Sequence, residues 1–290
     1  MINLKILVTG GAGFIGSHLV DRLIKEGNEI IILDNMSTGK KENVSSQAKL
    51  IKGDIRSEAD VKKAMKDCEY VFHLAAQADV SADEDMNFQV NFTGSKNVFD
   101  IAKDSGAKII FTSSAAVYGN TKIPHSENAV CKPISHYGKN KLKAERLLNS
   151  ESFIIRCFNV YGMRGHGVIN KFCKKIPEYE DITIYGNGLQ TRDFIHVNDI
   201  VDALILGMDK NGTYNIGTGR ETSILQLIDI ISRMTKSKAH TKHAMPNKNE
   251  ITRSKADITA IKKFGWQPKL SLEQGIKTLL NEIGIKTGIY

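Results

Sequence analysis

A chain of 290 residues, 41% hydrophobic and with a formal net charge of +8, can bury one large core or two coupled domains. No apolar run reaches membrane-span length, and the N-terminal apolar stretch reads as a first strand, not a cleavable leader. The lysines are spread along the chain with no basic block interleaved with aromatics, which argues against nucleic-acid binding. They leave an excess of positive charge suited to gathering a dianionic substrate. Cys68, Cys131, Cys157 and Cys173 lack C-x-x-C spacing, so neither a zinc site nor a disulfide framework is indicated. Cys157 sits in an apolar run as a core residue, and a reducing, cytoplasmic setting is expected.

In chain order, Leu4–Val8 predicts a buried parallel strand running into Thr9-Gly10-Gly11-Ala12-Gly13-Phe14-Ile15-Gly16, where helical periodicity takes over. Gly10 permits the tight turn, Gly13 lets backbone approach a pyrophosphate, and Gly16 lets the helix lie close to the sheet. The helix's free N–H groups and positive dipole end would face the phosphates. A second strand, Ile30–Leu33, ends at Asp34, whose carboxylate can accept from both adenosine ribose hydroxyls and repels a 2′-phosphate. This pattern predicts a dinucleotide site that prefers NAD to NADP.

The alternation continues. Leu50–Gly53 leads to Asp54-Ile55, a helix is expected over about 57–66, and Tyr70–Leu74 forms a strand ending in Ala75-Ala76-Gln77. A helix over roughly 87–105, a strand over Lys108–Thr112 with Ser113-Ser114 beyond it, a helix carrying Tyr137 and Lys141, and a strand over Ser152–Arg156 follow. Strands alternating with helices predict an α/β fold, a Rossmann-type doubly wound parallel sheet covered on both faces. After about residue 160 the alternation loosens. Segments 164–192 and 236–256 read as loops with short elements. The expected division is an NAD-binding domain over 1–160 with a returning segment about 191–219. A smaller substrate-binding lobe over 161–190 and 220–290 would sit over the carboxyl ends of the strands.

Ser114 lies at the strand end where cofactor and substrate should meet. Tyr137 and Lys141 are i and i+4, on one face of a helix. A phenol is a poor base at neutral pH, but a neighbouring ammonium and a cationic nicotinamide favour its ionised form. Such a tyrosine can take a proton from a substrate hydroxyl while hydride leaves the carbon beneath it. The serine hydroxyl can hold the same oxygen.

Together with Leu33-Asp34-Asn35-Met36-Ser37-Thr38-Gly39, His73–Gln77, Ser113–Gly119, Arg156–Gly162, Ile184-Tyr185-Gly186, Gln190–Val197 and Phe264–Pro268, these motifs give a resemblance spanning essentially the whole chain. The chain resembles extended short-chain dehydrogenase/reductases of the nucleotide-sugar-modifying branch, and among them the UDP-glucose 4-epimerases. The resemblance implies that Gly10, Gly13, Phe14, Ile15, Gly16, Asp34, Asn35, Ser37, Gly39, Asp54, Ile55, Leu74, Ala75, Ala76 and Gln77 line NAD with Tyr137 and Lys141. It implies Asn159 and Arg192 on the substrate diphosphate, Tyr185 stacked on uracil, and the Val168–Phe172 segment along the base. Ser114 and Tyr137 would contact the sugar. A homodimer through the helices near 87–105 and 136–150 is also implied.

Dehydratases resembling this chain carry an Asp-Glu pair after the catalytic hydroxyl, and decarboxylases typically keep a glutamate there. Ala115 and Ala116 stand in its place and can neither donate nor accept a proton. The expected reaction is therefore oxidation and re-reduction at one carbon, the epimerisation of a UDP-hexose at C4 through a 4-keto intermediate. Relatives' Arg-Pro-Gly-Asp is replaced by Asn247-Lys248-Asn249-Glu250, leaving Lys248 or Arg253 to stand in for the arginine. His136 replaces a usual proline, in a packing or capping role. The chain is shortened around 80–90 and 163–167, on the sugar side. Ser254 is small where bulk excludes an N-acetyl group, so UDP-N-acetylglucosamine is a candidate substrate beside UDP-glucose. The rival readings are a UDP-glucuronate epimerase or decarboxylase, and a redox-inactive NAD-sensing scaffold.

Overall fold

Short, mostly apolar runs build one sheet in a computed structural model that describes residues 3–78, 83–246 and 250–287. β1 (Lys5–Thr9), β2 (Glu29–Asp34), β3 (Lys49–Lys52), β4 (Tyr70–His73), β5 (Lys108–Ser114) and β6 (Phe153–Cys157) are joined there by the later segment Gly212–Ile216. The sheet has seven strands in the order Gly212–Ile216, β6, β5, β4, β1, β2, β3. β1 pairs in parallel with β2 and β4, β2 with β3, and β4 with β5. This is the expected Rossmann-type doubly wound architecture. Its strand order reverses between β1 and β4, where open sheets bind ligands at their carboxyl ends.

The first helices are α1 (Phe14–Lys25), α2 (Glu58–Met65), α3 (Glu84–Phe88), α4 (Ser95–Ser105) and α5 (His136–Glu145). Side chains of Ser57, Asp83 and Ser135 accept from the first-turn amides of α2, α3 and α5, and Gly106 at φ +74 ends α4 in the left-handed region. One helix was expected over 87–105. Instead the element begins at Glu84 and opens into a π-helical turn over Gln89–Gly94 before α4 resumes. Two features reward that turn. Asn91 is aimed inward at the Gln77 backbone, and Gly94 lies so close to Ile55 that a Cβ there would come within 2.7 Å of its side chain.

The chain divides into two compact units. The first comprises Met1–Gly119, Val130–Arg156 and Val201–Tyr214, and one of its cores gathers Leu7, Leu33, Val71, Val98, Phe99 and Phe111. Each such side chain contributes about 1.5–3 kcal/mol on full burial.

The second comprises Asn120–Ala129, Cys157–Ile200 and Asn215–Tyr290. In it β7 (Asn159–Tyr161) pairs in parallel with β10 (Phe194–His196), and β8 (Asp181–Tyr185) with β13 (His240–Ala244). β9 (Thr191–Arg192) runs antiparallel to β12 (Thr222–Ser223). Gly212–Ile216 is β11. The helices are α6 (Val168–Lys175), α7 (Val197–Leu206, continuing into the first unit), α8 (Ile224–Thr235), α9 (Thr259–Lys262) and α10 (Leu272–Glu282). α8 and α10 each open with a reciprocal serine–glutamine cap, Ser223 with Gln226 and Ser271 with Gln274. Ile169, Phe172, Ile182, Phe194, Leu227 and Leu279 share this unit's core. Among the described residues no helix is long and apolar enough to cross a membrane.

Candidate active site

The turn after β1 is shaped by what its glycines exclude. Gly10 has φ +71, and a Cβ there would lie 2.7 Å from the Ala75 amide nitrogen. A Cβ on Gly16 would lie 2.1 Å from the Gly10 carbonyl oxygen. Gly13 is the N-cap of α1; no side chain caps it and no acidic residue stands in the first turn, where Phe14 and Ile15 lie. The first-turn amides and the dipole are thus left for an anion. At the end of β2, Asp34 is buried, and its two carboxylate oxygens accept from Ala12 N at 3.0 Å and Met36 N at 2.9 Å. A Cβ on Gly39 would meet that carboxylate at 2.8 Å. These residues fit a dinucleotide: a bare helix end for the pyrophosphate and a fixed acid for the ribose.

Around them, Asn35 donates to Asp54 at 2.9 Å and accepts from Ser37 N at 3.0 Å. Arg56 chelates Asp54 at 2.9 and 2.8 Å, and this guanidinium holds the Asp54 carboxyl down to about 2 against the opposing effect of burial. Ile55 is buried behind it. The Leu74–Gln77 stretch is templated from both sides. Thr9 O and Oγ1 accept from the Leu74 and Ala75 amides, and Asn91 accepts from Gln77 N at 3.0 Å while donating to Gln77 O at 2.9 Å.

Ser114 is the last residue of β5, not one beyond it, and its Oγ accepts from Ala116 N at 3.1 Å, capping a 3₁₀ turn over Ala115–Val117. A Cβ on Gly138 would stand 2.5 Å from Ala116 O, so only glycine lets the first turn of α5 come this close to the Ser114 turn. Tyr137 and Lys141 share the face of α5, as the spacing predicts. Lys141 is buried; its Nζ donates to Thr112 O at 2.9 Å, lies 4.7 Å from the Phe111 ring centre and 6.0 Å from that of Tyr137. A buried ammonium beside a phenol favours the phenolate.

One further turn along α5, Glu145 accepts from Ser113 Oγ at 2.5 Å and from Arg156 of β6 at 2.7 Å. Arg156 also donates to Tyr118 OH at 2.9 Å. Burial works against the guanidinium's charge, but the Glu145 carboxylate outweighs it, so Arg156 is raised. His136 neither caps nor packs: Ser135 is the cap, and His136 meets Glu84 at 3.0 Å on the surface.

In the second unit Asn159 opens β7, exposed. Arg192 donates from Nη1 to Thr191 O and Ile251 O at 2.8 and 2.7 Å, and from Nη2 to Glu250 at 3.2 Å. Burial pulls its pKa down, with Glu250 opposing. Beside it the fully buried Asp193 accepts from Thr218 N, Gly219 N and Ala256 N at 2.7, 2.9 and 3.0 Å, tying the Thr218–Gly219 loop and the Ala256 segment to its own. Tyr185 is 48% exposed at the end of β8. Val168 starts α6, whereas Phe172 is in the core. Arg253 is exposed and chelates Glu221 at 2.7 Å; Ser254 is buried. Lys248 lies outside the described residues, as do Asn247 and Asn249 and the 80–82 part of the shortened 80–90 stretch.

The sequence reading missed Asn91, Glu145, Arg156 and Asp193. A signal existed for Glu145, which continues the Tyr137–Lys141 spacing by another four residues.

Residues 6–217 match the model of the NAD dependent epimerase/dehydratase family. A Methanocaldococcus jannaschii protein with the provisional name UDP-glucose 4-epimerase is 39% identical over 95% of this chain and 97% of its own. UDP-glucuronic acid decarboxylase 2 of Arabidopsis thaliana is 33% identical over 96% of this chain and 68% of its own. The crystal structure of Thermotoga maritima UDP-glucose 4-epimerase with UDP-glucose superposes with a TM-score of 0.94 at 36% identity, covering 97% of this chain and 98% of that one. Matched by that model over most of its length and similar to these proteins along nearly all of it, the chain belongs to the NAD-dependent epimerase/dehydratase family.

Proposed function

We propose that this enzyme is an NAD-dependent UDP-sugar 4-epimerase that interconverts UDP-glucose and UDP-galactose. One observation carries the reading: Ser114, Tyr137 and Lys141 are all present, while the turn capped by Ser114 begins with Ala115 and Ala116. A methyl group can neither protonate a leaving hydroxyl nor remove a ring proton, so elimination lacks its acid and base.

NAD, when bound, supplies the acceptor and returning donor of hydride. Tyr137, ionised with the help of Lys141, takes the proton of the sugar 4-hydroxyl, and Ser114 hydrogen-bonds the same oxygen. After the 4-keto sugar has turned its other face, Tyr137 returns the proton. In this reading the diphosphate is held by Asn159 and Arg192, a guanidinium fork suited to it by charge and shape. Arg253 would have to leave Glu221 to join them. Tyr185 stacks on the uracil, with Val168 at the start of α6 beneath the base and Phe172 supporting it from the core. Ser254 admits an N-acetyl group, and a homodimer is formed through α4 and α5.

The decarboxylase relative keeps a second reading, UDP-glucuronate as substrate, in play. Product analysis on UDP-glucose, UDP-N-acetylglucosamine and UDP-glucuronate separates the three. Formation of UDP-galactose, lost in Tyr137→Phe by about 10²-fold or more, is expected. Turnover of UDP-glucuronate alone, or an undiminished Tyr137→Phe, overturns the proposal.

A further inference from the structure

Beneath Lys141 lies a buried aromatic group that the reaction scheme does not use. Phe111 and His73 are cross-strand partners on β5 and β4, their rings stacked 5.5 Å apart at 14°. Phe99 of α4 closes the group edge-on, 5.2 Å from Phe111 and 5.4 Å from His73. Phe111 and His73 are fully buried and Phe99 is 3% exposed.

Both nitrogens of His73 are engaged. Nδ1 lies 2.7 Å from Thr9 Oγ1, an oxygen that also accepts from Ala75 N. Ser95 donates its only proton to Asn91 O at 2.8 Å, so at its 2.9 Å contact with His73 Nε2 the serine oxygen must accept. Nε2 therefore carries a proton. Burial, and then the Lys141 ammonium, push the imidazole's pKa far below the ordinary value, which leaves the ring neutral and Nδ1 accepting from the Thr9 hydroxyl. A ring locked at both nitrogens cannot rotate, and it braces Phe111.

We propose that Phe111 is a positioning residue for Lys141, its ring face and the Thr112 carbonyl together holding the ammonium where it can act on Tyr137. The inference rests on the Tyr137–Lys141 reading above and deepens it. A cation over a buried aromatic face is attracted by the ring's quadrupole, an attraction an aliphatic side chain of similar bulk lacks. Among the described residues the ionisable groups recorded about this ammonium are Tyr137 on its own helix, its ring centre 6.0 Å away, and His73 on β4, while Glu145 one turn further along α5 is bound to Arg156. Burial keeps His73 uncharged, so the response is read at Tyr137.

The test is an ultraviolet difference titration of Tyr137, reading each background against the same protein with Tyr137→Phe, on wild type and Phe111→Leu without substrate. The pH profile of turnover is measured in parallel. With Phe111→Leu the Tyr137 midpoint should rise by about half a unit to one unit, with turnover falling three- to tenfold at neutral pH and recovering at higher pH. Phe111→Tyr keeps the ring face and should restore the midpoint. A folded Phe111→Leu whose midpoint and profile match wild type overturns the inference, as does a loss of turnover equal at every pH. If Tyr137→Phe itself keeps full turnover, it is the underlying catalytic reading that fails instead.

Discussion

Glu145 and Arg156 form a buried ion pair in which two guanidinium nitrogens reach one carboxylate, Nη2 at 2.7 Å from Oε2 and Nε at 3.1 Å from Oε1. The pair fastens the end of α5 to β6, and through the 2.5 Å bond from Ser113 it also fastens the residue beside Ser114. Removing one partner strands a charge. Arg156→Ala is expected to cost about 3–5 kcal/mol in urea unfolding, and the Glu145→Leu/Arg156→Leu double variant distinctly less. A single variant costing under about 1 kcal/mol would show that water reaches the pair.

His73 gives the first unit a pH dependence. Its folded-state pKa is depressed, so in the window below the ordinary imidazole value the unfolded chain binds a proton that the folded chain refuses. The stability it contributes is complete above about pH 6.5 and is lost as pH falls towards the folded pKa, at up to about 1.4 kcal/mol per pH unit. His125 in the second unit is also depressed by burial and adds in the same direction. Chemical denaturation between pH 7 and 5 should therefore show a shallower slope for His73→Asn than for wild type. Parallel slopes would mean the proton is not excluded.

Two glycines of the phosphate turn should separate folding from binding. A methyl on Gly16 would collide with backbone, 2.1 Å from Gly10 O, whereas one on Gly13 meets nothing nearer than 3.2 Å. Gly16→Ala is expected to lower stability by about 1–3 kcal/mol or more together with NADH binding. Gly13→Ala should leave the thermal midpoint within a few degrees of wild type, yet weaken NADH binding at least about tenfold, because the methyl occupies the approach of the pyrophosphate. Tight NADH binding by Gly13→Ala, followed by fluorescence titration, would move the phosphates elsewhere.

Arg192 already has its guanidinium plane fixed by Thr191 O, Ile251 O and Glu250. A lysine keeps the charge and loses the fork. Arg192→Lys should weaken UDP binding by calorimetry about 10- to 100-fold, corresponding to the 1.5–3 kcal/mol of charge-assisted hydrogen bonding. Unchanged UDP affinity would remove Arg192 from the diphosphate.

How far the sequence could be read followed from the range of the interactions. β1, the glycine turn, α1 and Asp34 are local: strand, turn and helix follow one another with the residue types each needs, and the structure matches them within a residue or two. Lys141 and Tyr137 could be placed on one face because helical spacing alone decides it. The π-helical turn could not. It depends on Asn91 finding the Gln77 backbone 14 residues away and on Gly94 meeting Ile55, contacts that no local periodicity encodes. Asp193 was hidden for the same reason, since its partners at Thr218, Gly219 and Ala256 stand 25 to 63 residues along the chain. Arg253 shows the opposite limit: a cation is legible in the sequence, but its engagement by Glu221 is not.

The chain passes from one unit to the other after residues 119, 129, 156, 200 and 214. No single cleavage can therefore release either unit whole, and splitting this enzyme into separately expressed halves should fail wherever the break is made. Order of synthesis is constrained as well. Residues 1–156 leave the ribosome early, but β11 at Gly212–Ile216, which completes the edge of their sheet beside β6, is made much later. Until it arrives β6 presents an open hydrogen-bonding edge, the kind of edge at which partly made chains pair with one another.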